Sequence, residues 1–258
     1  MFYGCHDFNQ EASTIASEKA PGNSSDLDDF RVPDSIKSTF ETHLNFYLTK
    51  YFFVSKNESI RKKIIEMDYN NDGIQDKIIT INRLDKAKND MKNASNPAKF
   101  LDMGMIGNYN HFLLFNGKTN TFTDWKTIPS SPFRQLRIEP ISISLQEKYH
   151  FLMEYRIRDA AFVNFYAIND ASFELIFQYK RFDRLSEKYP EAYVLCIEDE
   201  SQQGIMKDLT IHSAKILHIP DNADLNIFDP SITKTSENKI HFFYLNEKKK
   251  YYTLKKPT

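Results

Sequence analysis

Apolar residues near the start of the chain recur at helical spacing. Asp34 suits an N-cap, and the positions that follow it on one helical face are Ile36, Phe40, Leu44, Tyr47 and Leu48. This pattern predicts one amphipathic helix over residues 35–50. Its apolar stripe is most simply explained as a face that packs against a core.

After residue 60 the pattern changes to short apolar and alternating runs, which are typical of strands. Pro140 indicates an edge strand or a bulge, and the polar segment 84–107 is expected to contain a short helix. The predicted strands are 60–67, 77–83, 111–115, 121–125, 137–145, 149–157, 161–168, 173–179, 192–197, 209–219, 240–244 and 250–254. The sequence therefore predicts a mainly β fold of antiparallel sheets, partly propeller-like or a sandwich, with one N-terminal amphipathic helix.

The first 32 residues have a different composition from the rest. They are rich in Ser, Ala, Asp, Glu and Asn, and they show almost no apolar periodicity. Such a segment buries too little surface to offset the entropy lost on ordering. We therefore expect a flexible leader or tether over 1–32 and a single β-rich domain over 33–258.

Composition and charge narrow the classes of protein. The chain is 41% hydrophobic and 14% aromatic, as expected for a globular β protein. Its 34 Lys and Arg against 35 Asp and Glu give a net charge of −1, which argues against an electrostatic nucleic-acid binder. The sequence contains no apolar run near the ~18 residues of a transmembrane helix.

The two cysteines have different contexts. Cys196 lies in an apolar run, 192–197, where it is expected to act as a small buried hydrophobic residue. Cys5 follows Gly4 and precedes the polar leader, as in the last residues of a bacterial lipoprotein signal. Two interpretations stay open for Cys5, a lipid attachment site or a free thiol in a tail.

An Asp-rich run between two predicted strands carries the clearest chemistry in the sequence. Asp68, Asn70 and Asp72 occupy alternate positions, Gly73 follows where a sharp turn needs glycine, and Asp76 is the ninth residue. Calcium takes six to eight oxygen ligands, and a short loop supplies them from alternating acidic and amide side chains. We expect Ca²⁺ to be bound by Asp68, Asn70, Asp72, the backbone carbonyl of Ile74 and Asp76, with Asp76 acting directly or through water.

This loop differs from an EF-hand. The twelfth position would be a bidentate glutamate, and here it is Ile79 within a β-branched run. The segment from Ile64 to Ile79 resembles the FG-GAP/VCBS-type repeat, in which an Asp-rich loop joins two apolar strands. The resemblance implies a propeller-related architecture, a calcium ion in the hairpin and a bacterial protein outside the cytoplasm, in the periplasm, outer membrane or cell surface.

Other catalytic signatures are missing from the sequence. The seven histidines show no zinc-ligand spacing, and no nucleophile elbow or phosphate-binding Gly-rich loop occurs. This favours a non-enzymatic calcium-binding protein of the bacterial envelope with a structural role or a protein or glycan partner. Two alternatives stay open, a glycan or cell-wall hydrolase with dispersed carboxylates and an accessory subunit of an envelope assembly.

Overall fold

A computed structural model describes residues 39–253, except 56, 124, 146–148, 170–171 and 199–203, and except the side chains of 169 and 236–238. The predicted leader 1–32, the predicted domain start at residue 33 and Cys5 lie outside the described residues. The chain divides into two compact units, one ending at Phe53 and the other beginning at Val54.

The described part of the first unit is helix α1, Phe40–Phe52. The helix begins with Thr39 as its N-cap, whose hydroxyl accepts a hydrogen bond from the Thr42 N–H at 3.2 Å. It ends at Phe53, which adopts the left-handed conformation typical of a helix C-terminus. The predicted helix is confirmed, but the cap is Thr39 and not Asp34. The buried side chains are the predicted stripe residues Leu44, Tyr47 and Leu48, together with His43.

The described residues of the second unit form two antiparallel sheets. In the first, the strand order is β1-β2-β3-β4, and β5 also pairs with β3. Its strands are β1 (Arg61–Met67), β2 (Asp76–Asn82), β3 (Gly107–Asn116), β4 (Thr121–Phe122) and β5 (Lys126–Ser130). Two short helices, α2 (Leu84–Lys92) and α3 (Pro97–Asp102), connect β2 to β3 where one short helix was expected.

The second sheet has eight strands that follow one another in chain order. They are β6 (Arg137–Ile141), β7 (His150–Ile157), β8 (Ala160–Asn169), β9 (Ser172–Asp183), β10 (Glu191–Ile197), β11 (Leu209–Ile216), β12 (Ile232–Leu245) and β13 (Lys250–Tyr252). The strand that contains Pro140 is the edge strand β6, as predicted, since proline cannot donate a ladder hydrogen bond.

The two sheets share a buried aromatic core. The Phe112 ring of β3 lies 5.9 Å from the Phe151 ring of β7, 5.5 Å from Tyr166 of β8 and 4.5 Å from Phe173 of β9. Phe112 and Phe151 are fully buried. The fold is therefore mainly β and sandwich-like, which is one of the two predicted arrangements.

A bulge in β9 directs some of its side chains to another core, on the opposite face of the second sheet. Phe165 pairs with Phe177, but Tyr166 pairs with Leu175, so Ile176 is an extra residue in β9. Leu175 consequently packs against the core between the sheets, whereas Phe177 joins the second core. There the Phe177 ring contacts Tyr251 of β13 at 5.5 Å, which shows that the sheet curls.

Candidate metal centre

The Asp-rich run forms the turn of the first hairpin, as predicted. Strands β1 and β2 pair antiparallel, and Met67 opposite Asp76 is the last pair before the loop. Tyr69, the second loop residue, is 4% exposed and belongs to the core between the two sheets. The loop is therefore anchored at both strand ends and by one buried aromatic side chain.

Side-chain oxygens of the loop accept its own backbone N–H groups. The Asp68 carboxylate accepts from Asp72 N–H at 3.1 Å and from Gly73 N–H at 2.8 Å. Asn70 Oδ1 also accepts from Asp72 N–H, at 3.0 Å, and Asp72 Oδ1 accepts from Ile74 N–H at 2.9 Å. These bonds hold the chain in one turn, with the side chains of Asp68, Asn70 and Asp72 folded back onto its backbone.

Glycine at position 73 is required by the backbone conformation. Its φ of +81° lies in the left-handed region, which L-residues with a Cβ disfavour. A Cβ built there meets nothing within 4 Å, so space does not explain the residue. The sequence-based reason for Gly73, a sharp turn, is confirmed.

Asp76 connects this loop to the next hairpin. Its side chain is fully buried, and Oδ1 accepts from Gly117 N–H at 2.8 Å while Oδ2 accepts from Tyr69 N–H at 3.3 Å. Gly117 lies in the turn between β3 and β4, where an added Cβ would come within 2.1 Å of the Gln75 carbonyl oxygen. The turn can approach the loop this closely only because residue 117 is glycine.

Burial raises the pKa of the Asp76 carboxyl above its usual value. The two backbone N–H groups oppose this effect because they stabilise the charged form, and the negative charges of Asp72 and Asp68 add to it. A cation placed among these three acids would act in the opposite direction and favour the ionised carboxylate.

The predicted ligand residues are thus brought into one turn, but their carboxylates point at backbone N–H groups. Within the described part of the chain, no three acidic, histidine or cysteine side chains form a ready-made metal cluster. Lys118 lies 3.9 Å from Asp72 Oδ2, and the Ile74 side chain is 41% exposed. The donor set, four oxygen-bearing side chains and a backbone carbonyl, matches the chemistry of a hard cation.

Sequence reasoning missed the role of Gly117 in this site. An Asn-Gly pair is common in hairpin turns, and Asn116-Gly117 lies at the turn between β3 and β4. The sequence offers no signal that a turn 41 residues further along donates a hydrogen bond to Asp76, because the contact depends on how two hairpins pack.

Other residues with chemically active side chains also have defined places. Cys196 lies in β10 as predicted, but it is half-buried, and Lys234 Nζ is 3.7 Å from its sulfur. His212 is in β11, whereas His218 lies beyond the end of that strand at Ile216. Trp125 stacks on His111, with ring centroids 3.7 Å apart.

Comparisons with known proteins find no match for this chain among protein-family models, curated proteins or solved structures. None of the described helices is long and apolar enough to span a membrane.

Proposed function

We propose that the loop 68–76 binds one calcium ion and that this ion stabilises the β-rich fold. We propose further that the protein acts outside the cytoplasm of a bacterium, where it presents a surface to a partner. The observation that supports this most is the environment of Asp76. A fully buried carboxylate shares one short turn with Asp68 and Asp72, and its own hydrogen bonds join two hairpins.

The hydrogen bonds within the loop are compatible with an ion. An ionised carboxylate has two oxygens and about four lone-pair sites. Asp68 and Asp72 can therefore keep their bonds to Gly73 N–H and Ile74 N–H and still offer lone pairs to calcium. Asn70 Oδ1, the Ile74 carbonyl and Asp76 would supply further oxygens, and water would complete a shell of six to eight ligands.

The proposed location agrees with the chemistry of the loop. Calcium modules outside cells work with dissociation constants of about 10⁻⁴ to 10⁻³ M. A loop without the bidentate acid of an EF-hand is suited to this range of dissociation constants.

The lipid anchor at Cys5 belongs to the same proposal and rests on the sequence alone.

Calorimetry with a matched pair of variants tests the ion site. We expect calcium at ~100 times its dissociation constant to stabilise the protein by ~2.7 kcal/mol, which raises Tm by roughly 5–10 °C in a domain of this size. Asp72→Asn keeps an oxygen that can accept the Ile74 N–H bond but removes one charge, so it should abolish most of this shift. Asp102→Asn, at an exposed helix residue, should leave it unchanged.

Two results would contradict the proposal. One is the absence of both binding heat and a change in Tm when calcium is added to chelator-treated protein. The other is an equal loss of the calcium shift in Asp72→Asn and Asp102→Asn, which would place the ion elsewhere.

A further inference from the structure

Strands β9 and β10 are neighbours in the second sheet, yet they pair over only two positions. The pairs are Glu191 with Asp183 and Ala192 with Phe182, next to the turn that joins the strands. On its other side β10 pairs with β11 from Ala192 through Ile197. The two strands therefore diverge after their first contacts, and the sheet is split between them.

The split leaves two strand edges facing each other. Among the described residues, β10 from Tyr193 to Ile197 has no strand partner on the β9 side, and β9 from Tyr179 to Arg181 has none on the β10 side. Backbone N–H and C=O groups on an unpaired edge are spaced to match another extended chain.

An open groove occupies the split. Tyr179 and Arg181 line it from β9, the consecutive residues Tyr193, Val194 and Leu195 line it from β10, and 229–232 line its remaining side. Side chains of successive strand residues point to opposite faces of a sheet. Three consecutive residues at one groove wall therefore indicate that the groove follows the edge of β10, and not one of its faces.

Among the described residues, the two charged side chains that line the groove are paired with each other. Its lining charges are Arg181 and Asp229, and Arg181 Nη1 lies 2.7 Å from Asp229 Oδ1. The same nitrogen lies 3.3 Å from a carboxylate oxygen of the buried Glu154. Because Arg181 is already paired twice, a charged ligand would have to disrupt these pairs, and an uncharged one would not.

We infer that the groove between β9 and β10 binds an uncharged, extended segment of about five residues from another protein, which adds a strand along Tyr193–Ile197. Main-chain hydrogen bonds to the β10 edge would give the affinity. The walls formed by Tyr179, Tyr193 and Val194 would select apolar or aromatic side chains at alternate positions. This inference names the partner class for the proposed binding role, and it does not depend on the calcium ion.

The test uses the full chain and a library of random, end-blocked heptapeptides. We expect selection to enrich uncharged peptides with β-branched or aromatic residues at alternate positions. An enriched peptide should slow hydrogen exchange of those Tyr193–Ile197 amides that point away from β11, since the alternate amides face that strand. Methylation of its alternate backbone nitrogens should weaken binding at least tenfold, because the side chains stay but the strand hydrogen bonds are lost.

A protein variant provides the second comparison. Val194→Lys places a charge at the groove wall and should weaken peptide binding at least tenfold, since a charged side chain on an edge disfavours strand addition. Ile240→Lys makes the same change at a half-exposed β12 position outside the groove lining, and it should bind the peptide normally.

Three outcomes would overturn the inference. The first is that selection enriches no uncharged extended peptide. The second is that backbone methylation of an enriched peptide leaves its binding unchanged. The third is that the groove binds a neutral oligosaccharide in place of peptides. Peptide binding is measured once with calcium present and once with a chelator. Absence of calcium-binding heat with intact peptide binding would reject the ion site alone. Calcium-binding heat without peptide binding would reject the groove alone.

Discussion

At the scale of single residues, His111 shows how burial changes the chemistry of a side chain. It is 1% exposed, stacks on Trp125, and its Nδ1 lies 3.0 Å from the Thr127 hydroxyl. Burial lowers its pKa from 6.5 to about 3, and the positive charge of Arg83 adds to this shift. The native state therefore keeps His111 neutral at pH values where the unfolded chain protonates it.

This residue should make the fold sensitive to mild acid. The unfolded state binds more protons between pH 6.5 and about 3, so stability is complete above pH 6.5 and falls as the pH decreases through this window. Between pH 7 and pH 5 we expect His111 to account for a loss of about 2 kcal/mol. Urea unfolding followed by the fluorescence of Trp125, the only tryptophan of the chain, measures it.

The matched variants are His111→Phe and His218→Asn. The phenylalanine cannot be protonated, so the difference in unfolding free energy between pH 7 and pH 5 should shrink by about 2 kcal/mol. His218 is exposed, and its replacement should leave that difference intact. An unchanged pH dependence in His111→Phe would show that other groups cause the acid sensitivity.

At the scale of elements, the junction between two hairpins forms the candidate site. The β1–β2 loop contributes Asp76, and the β3–β4 turn contributes the Gly117 N–H that donates to it. Two glycines serve this junction for different reasons. Gly73 has a positive φ in open space, whereas Gly117 allows a close approach to Gln75.

Alanine substitutions should separate these two reasons. Gly73→Ala imposes left-handed strain of roughly 1–2 kcal/mol. Gly117→Ala forces the hairpins apart, because its Cβ would lie 2.1 Å from the Gln75 carbonyl oxygen, and should cost about 3 kcal/mol. Urea unfolding in the presence of a chelator measures both costs. A smaller loss of unfolding free energy in Gly117→Ala than in Gly73→Ala would contradict these two roles.

At the scale of the whole molecule, one core belongs to both sheets. Phe112 of the first sheet contacts rings on three strands of the second. If either sheet unfolded alone, the apolar face of the other sheet would be exposed to water. We therefore expect the two sheets to unfold together.

Truncation of Phe112 tests this coupling. Phe112→Ala should cost about 3–5 kcal/mol, the usual range for a fully buried phenylalanine. Hydrogen exchange should show the same loss of amide protection in β2 and in β8. Phe122→Ala, at a half-buried β4 position, should cost less. If β8 keeps its protection in Phe112→Ala, the sheets unfold independently.

Local sequence patterns predicted most of the elements and the chemistry of the loop. Alternation of apolar residues located most strands of both sheets, because burial on a pleated surface has a period of two. It missed β5 and the first half of β12. Proline at 140 predicted an edge strand or a bulge, and glycine at 73 predicted a sharp turn, since both residues act through local backbone geometry. The spacing of Asp68, Asn70, Asp72 and Asp76 defined the candidate ligands for the same local reason.

The contacts between distant elements could not be predicted from local patterns. The burial of Asp76 under the Gly117 turn, the bulge at Ile176 and the split between β9 and β10 all depend on packing between segments far apart in the chain. Local patterns specify the face that a strand buries, but not the partner that covers it. For that reason most strands could be predicted from the sequence, whereas the choice of the sandwich over a propeller-like sheet, the junction at Asp76 and the groove depend on tertiary packing.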